Sequence, residues 1–119
     1  MSKKFDIYDR CFAFAGKVNQ TLQHLPKNPF INEYIKQLIR SSGSIGANLT
    51  EADGAISKKD FINKLCISRK EAKESIHWLK LILSASTQDN TTLENLIQEN
   101  IEITLILSKI IQNTQNNSK

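Results

Sequence analysis

One spacing governs this sequence. Apolar and small residues return at alternating intervals of three and four in segment after segment, and no stretch shows the one-in, one-out alternation of a half-buried strand. Steps of three and four keep successive side chains on one face of an α-helix, so each segment presents a single stripe for burial. The first stripe holds Tyr8, Cys11, Ala15, Val18, Leu22 and Leu25, and the second holds Ile35, Leu38, Ser42, Ile45, Leu49, Ala52 and Ile56. The third runs through Phe61, Leu65, Ser68, Ala72, Ser75, Leu79 and Ile82. A fourth segment is apolar at seven of eleven positions between Ile101 and Ile111.

The punctuation between stripes is equally regular. Pro26 and Pro29 bracket a short connection, because proline disfavours helical geometry in the residue before it, and Asn28 or Asn32 can cap the second helix. Gly54 supplies a stop suited to a left-handed cap, and Ser57-Lys58-Lys59-Asp60 supplies a hydroxyl three residues before a carboxylate, a capping-box start. The stretch from Gln88 to Thr92 forms the last loop, with Asn90, Thr91 or Thr92 as cap, and a tail from Thr114 onward is expected to fray. The spacing therefore predicts helices over about 5–25, 30–55, 58–85 and 93–113. Four helices with short connections give an all-α fold, an antiparallel up-down-up-down four-helix bundle forming one domain across residues 1–119.

Composition narrows the class. With 39% hydrophobic and 24% charged residues the chain is ordinary for a globular protein, and no run of about 18 apolar residues is present to cross a bilayer. Met1 to Asp6 lacks the apolar stretch of a secretory signal, so the expected location is cytoplasmic, with no membrane partner. Cys11 and Cys66, without a Cys-x-x-Cys pair or clustered histidines, make neither a disulfide framework nor a zinc site and read as small apolar side chains.

Beside the second stripe lies a polar flank of Gln37, Ser41, Ser44, Asn48 and Glu51. Where a neighbouring helix covers such groups they need hydrogen-bonding partners. Counting outward from the Gly54 turn sets Asn48 and Glu51 opposite Asn63 and Lys64, which predicts a polar clasp of those four residues. Gly43 and Gly46, unfavourable inside a helix, are expected to mark its close-contact seam. On helix four, more apolar residues than one interior can take predict a self-association surface, with Ile103, Ile106, Ile110 and Trp78 as its candidates.

Catalytic chemistry finds little to use. Glu74-x-x-His77 has the spacing of a di-iron bundle ligand pair, but such sites need a second copy and two further glutamates. His24 beside a helix end reads as a C-terminal cap, and neither cysteine has a specific basic partner. No catalytic residue, metal or cofactor is expected, and the chain is read as a non-enzyme.

Charge gives the sharper functional expectation. Residues 57–86 carry seven Lys or Arg against three acidic residues, whereas residues 87–119 carry two against four. Arg69, Lys73, His77 and Lys80 fall at spacings of four, four and three on one face, with Lys59 and Lys70 nearby. Repeated around an oligomer, this stripe would become a basic belt able to neutralise phosphates. Aromatic residues are not interleaved with it, which favours recognition of an RNA or DNA backbone over reading of bases.

Taken together, Gln37 to Ser41, Ser44-Ile45-Gly46-Ala47-Asn48, Glu51-Ala52, Ser57 to Phe61, Glu71-Ala72 and Trp78-Leu79 resemble the 23S rRNA-intervening-sequence protein family. The likeness spans nearly the whole chain. It implies an antiparallel four-helix bundle assembling as a homopentamer, in bacteria, without an established enzymatic activity. A related branch, the accessory proteins of diversity-generating retroelements, implies basic pentamers that work with a reverse transcriptase and RNA. Two expectations result: a nucleic-acid-binding accessory oligomer, or a protein-interaction scaffold with no nucleic-acid role.

Overall fold

The computed structural model describes residues 3–87 and 90–117, and within them four α-helices: α1 (Lys3–Gln23), α2 (Pro29–Asp53), α3 (Lys58–Ala85) and α4 (Thr91–Asn116). Each packs against its two neighbours in the ring α1, α2, α3, α4 and back to α1, with none crossing the diagonal. This is the bundle that the spacing predicts, drawn out to 52 × 21 × 21 Å.

Local chemistry sets the helix ends. Asn28 caps α2 by accepting the Ile31 amide at 2.9 Å, and Pro29 takes the first-turn position, where its missing N–H costs nothing. Ser57 caps α3 by accepting the Asp60 amide at 3.0 Å, while the Asp60 carboxylate accepts the Ile56 amide at 3.3 Å. α1 is closed by the ammonium of Lys27, which donates to the carbonyls of Leu22 and Leu25 at 2.7 and 3.1 Å, a role the sequence suggested for His24. Gly54 ends α2 at φ −96°, in the right-handed half of backbone space, so its left-handed cap is not formed. Asn90 caps α4 without a side-chain bond, and the predicted loop residues Gln88 and Asp89 lie outside the described residues. Far from fraying at Thr114, α4 continues to Asn116, with the Thr114 hydroxyl bonded to the Ile110 carbonyl at 2.7 Å; Ser118 and Lys119 lie outside the described residues.

The core is aliphatic, built on Val18, Leu38, Ile45, Leu65, Leu79, Ile82, Ile103 and Leu107, all essentially inaccessible. On α1 the buried stripe is Ile7, Cys11, Phe14, Val18 and Leu22, one position back from the expected Tyr8 and Ala15, which are half-buried. Both readings satisfy a three-and-four rhythm, and the larger Phe14 wins the interior because it removes more apolar surface from water. Ile56, counted in the second stripe, lies beyond the end of α2 and is 94% exposed.

α2 and α3 make the tightest seam, and serines rather than glycines allow it. Ser41 and Ser75 meet hydroxyl to hydroxyl at 2.8 Å across the interface, and Ser68 donates to the Ile45 carbonyl of α2 at 2.8 Å. All three are fully buried. Gly43, by contrast, faces open space, and Gly46 faces Tyr8 of α1, whose ring lies 3.8 Å from the place a Cβ would take. The glycines therefore do not form the α2–α3 seam.

Candidate nucleic-acid interface

The outer surface of α3 carries the predicted cations. Its inner stripe, Leu65, Ser68, Ala72, Ser75, Leu79 and Ile82, fixes the helix rotation, so residues half a turn away must face outward. Lys59, Lys70, Lys73, His77 and Lys80 are all exposed there. Arg69 leans toward α4, half-buried, and its Nη1 donates to the Ser108 hydroxyl at 3.3 Å. Among the described residues none of these Lys or Arg side chains has a carboxylate within 4.0 Å. From Lys59 to Lys80 the face runs roughly 30 Å along the helix. His77 sets its ring edge-on to Trp78, with centroids 4.8 Å apart.

The flank of α3 that faces α2 is ordered differently. Arg40 of α2 lies 3.2 Å from the buried Glu71 and hydrogen-bonds Glu74, which also accepts the Trp78 indole N–H at 3.1 Å. Trp78 in turn stacks on Tyr34 with centroids 6.1 Å apart. The Trp78 hydrogen bond, then that of Arg40, holds the Glu74 carboxyl below its ordinary value against an opposing desolvation. Glu74 and His77, the ligand-like pair in sequence, both touch Trp78, Glu74 through the indole N–H and His77 through its edge-on ring contact, and no cluster of three or more metal-ligating side chains occurs among the described residues.

Of the expected clasp, Glu51 and Lys64 are joined at 2.8 Å on the bundle surface. Asn48 does not reach α3. Its short side chain donates to the Ser44 carbonyl of its own helix at 2.8 Å, and Asn63 is exposed. Of the expected association surface on α4, Ile103 is corrected. Ile103 is wholly inaccessible within the protomer, while Ile106, Ile110 and Trp78 are half-buried against the same core. α4 absorbs its extra apolar residues by burying flanking positions as well as the central stripe. The large apolar residues left exposed include Phe12 at 68%, Leu105 at 63% and Ile39 at 49%.

Two features escaped the sequence reading. Arg10 of α1 forks onto Glu99 of α4 at 2.7 and 2.8 Å and reaches Glu102 at 2.7 Å, fastening the outside of the α1–α4 seam. The complementary charges were visible in the sequence, but their pairing across 89 positions needed the fold. The second is Asn100, placed in the core at full burial. Burial, with a smaller contribution from Glu99, pushes the Cys11 thiol up to about 12, so it stays protonated at neutral pH. No helix among the described residues is long and apolar enough to cross a membrane.

The comparisons with known proteins agree with this architecture. A crystal structure of a protein with unknown function from the S23 ribosomal protein family of Bacteroides thetaiotaomicron superposes with a TM-score of 0.81 at 34% identity, covering 93% of this chain and 99% of that one. No curated protein matches. The sequence profile of the 23S rRNA-intervening sequence proteins matches residues 3–109, and the chain belongs to that family.

Proposed function

We propose that this chain is a non-enzymatic accessory protein of the cytoplasm that self-associates and binds the phosphate backbone of RNA or DNA through the outer face of α3, alongside a nucleic-acid-handling enzyme such as a reverse transcriptase. One observation carries the reading: a face about 30 Å long whose Lys and Arg side chains form no ion pair within 4.0 Å among the described residues, in a chain that pairs Arg10, Arg40 and Lys64 with carboxylates elsewhere. Like charges spaced four apart on a helix, as in Arg69 and Lys73, cost roughly 0.2–0.5 kcal/mol per pair. Bundle stability therefore does not explain them, whereas release of counterions from a bound backbone does. Anchoring by Ser108 reduces the freedom Arg69 loses when it grips a phosphate. The test is mobility shift against structured RNA and duplex DNA at low and moderate salt. Binding that weakens steeply with salt is expected, and no binding at low salt would sink the proposal.

A scaffold reading has one observation in its favour. Phe12 and Ile39 are exposed, and Gly16 and Gly43, on the same two helices, have no atom within 4 Å of the position a methyl group would take, leaving a surface open to another helix. Light scattering on Ile39→Asp decides whether this surface carries assembly. A lower mass with nucleic-acid binding unchanged would separate the two roles, and a strict monomer at micromolar concentration in the parent chain would remove self-association from both.

A further inference from the structure

Asn100 lies on the inner face of α4 with 0% exposure, and neither its amide oxygen nor its amide nitrogen has a hydrogen-bond partner among the described residues. Its height in the bundle is fixed by the neighbouring contacts. Arg10 reaches both Glu99 and Glu102, which brings Cys11 of α1 level with Asn100. Tyr8 against Gly46 sets Ser42 of α2 at nearly the same height, and the Ser41–Ser75 hydrogen bond brings α3 into the section. Cys11 and Ser42 are each 1% exposed, and Ser75 is 0% exposed. Three helices thus contribute polar side chains, and α1 the small Cys11, to one buried cross-section of a mostly aliphatic core. On one side of it the serines satisfy each other across the α2–α3 seam. On the other, the Ser42 hydroxyl has only a long 3.4 Å contact to the Ile39 carbonyl of its own helix, and Asn100 has nothing.

We infer that this section is a hydration site, holding an internal water that hydrogen-bonds the Asn100 amide and the Ser42 hydroxyl. A buried amide offers two donors and an acceptor, and buried waters typically make about three hydrogen bonds to groups of this kind. Two helices are then bridged through solvent at the level where no direct side-chain bond joins them. The site is independent of the basic face and of any nucleic-acid role.

Water-selective NMR on the intact protein tests it. The Asn100 side-chain amide protons should show cross-peaks to a long-lived water. In Asn100→Leu, which fills the space with methyl groups, the relaxation dispersion of solvent should lose the contribution of that water, and the melting temperature should rise by roughly 3–6 °C. Absence of the cross-peaks in the parent protein, or an unchanged dispersion in N100L, overturns the inference. Should N100L fail to fold, Ser42→Ala provides the same reading by removing one ligand of the water. A shortened water residence time supports the site, and an unaltered one refutes it.

Discussion

The two long flanks of α3 differ in what their charges touch. Toward α2, Arg40 ion-pairs with Glu71 and hydrogen-bonds Glu74, which also accepts from Trp78, and the seam beside them is closed by serines that satisfy their own hydroxyls. On the outer face and toward α4, Arg69 rests on a neutral serine, and Lys70, Lys73 and Lys80 form no ion pair within 4.0 Å among the described residues, Lys70 acting on Glu74 only through its field. Composition alone does not separate these flanks, since both are rich in charge. The difference teaches that a paired charge is already explained by the fold, so that the unpaired ones are where the proposed function is to be tested.

The comparison is broken most directly at the outer face. Replacing Arg69, Lys73 and Lys80 together with Glu is expected to weaken RNA and DNA binding at low salt by at least about 100-fold and to flatten its salt dependence, with the circular dichroism spectrum unchanged. A triple variant that binds as the parent does would make the face an ordinary solvated one. On the inner flank the expected loss is in stability. Ser75→Leu forces a branched side chain into the serine seam and should lower unfolding stability in urea by about 2–3 kcal/mol, with little change in binding by the folded protein. Arg40→Met should cost about 1–2 kcal/mol by leaving the carboxylate of Glu71, whose side chain is only 11% exposed, without its cation. Adding Glu71→Gln should recover part of that loss, which denaturant midpoints of the single and double variants would measure.

Acid offers a finer contrast. Glu74 is held below its ordinary 4.5 by Trp78 and Arg40, and Glu102 is held below it by Arg10 and Gln98. A carboxyl whose folded value is depressed contributes stability that is complete above the ordinary value and is lost as pH falls through the folded one. The melting temperature should therefore be level near neutrality and decline below about pH 4.5, with Glu74→Gln less acid-sensitive than the parent. The smallest effect is expected at the bundle surface. Lys64→Ala breaks the 2.8 Å pair with Glu51, and because Glu51 remains 58% exposed the urea midpoint should not move measurably.

Most of the scaffold was legible in the sequence because helix periodicity and capping are local. Asn28 before Pro29 and Ser57 before Asp60 state where α2 and α3 begin, and the structure uses both. The rotation of α1 was one position out because Ile7–Phe14 and Tyr8–Ala15 both fit the rhythm, and only competition for a shared interior chooses between them. The basic face was read from spacing alone, and the structure adds what spacing omits, the lack of ion pairs along it among the described residues. Asn48 was misassigned because a carbonyl four residues back in its own helix is a nearer acceptor than any group on α3. Ile103 was misassigned because an apolar surplus counted along one helix says nothing about how much of that helix its neighbours cover. Asn100 fell in the polar triplet Gln98-Glu99-Asn100 just before the apolar run, with no local signal that its amide would point inward.

The serine seam has a consequence for reading mutational data on this fold. Ser41, Ser68 and Ser75 are polar, small and completely enclosed, so a saturation scan scored by function would return them as intolerant to nearly every replacement. Lys70 and Lys80, each one of several exposed cations, would tolerate single changes because neighbouring charges share the load. A map of intolerance would then point to the flank of α3 opposite the proposed binding face, and combined substitutions would be needed to test that face.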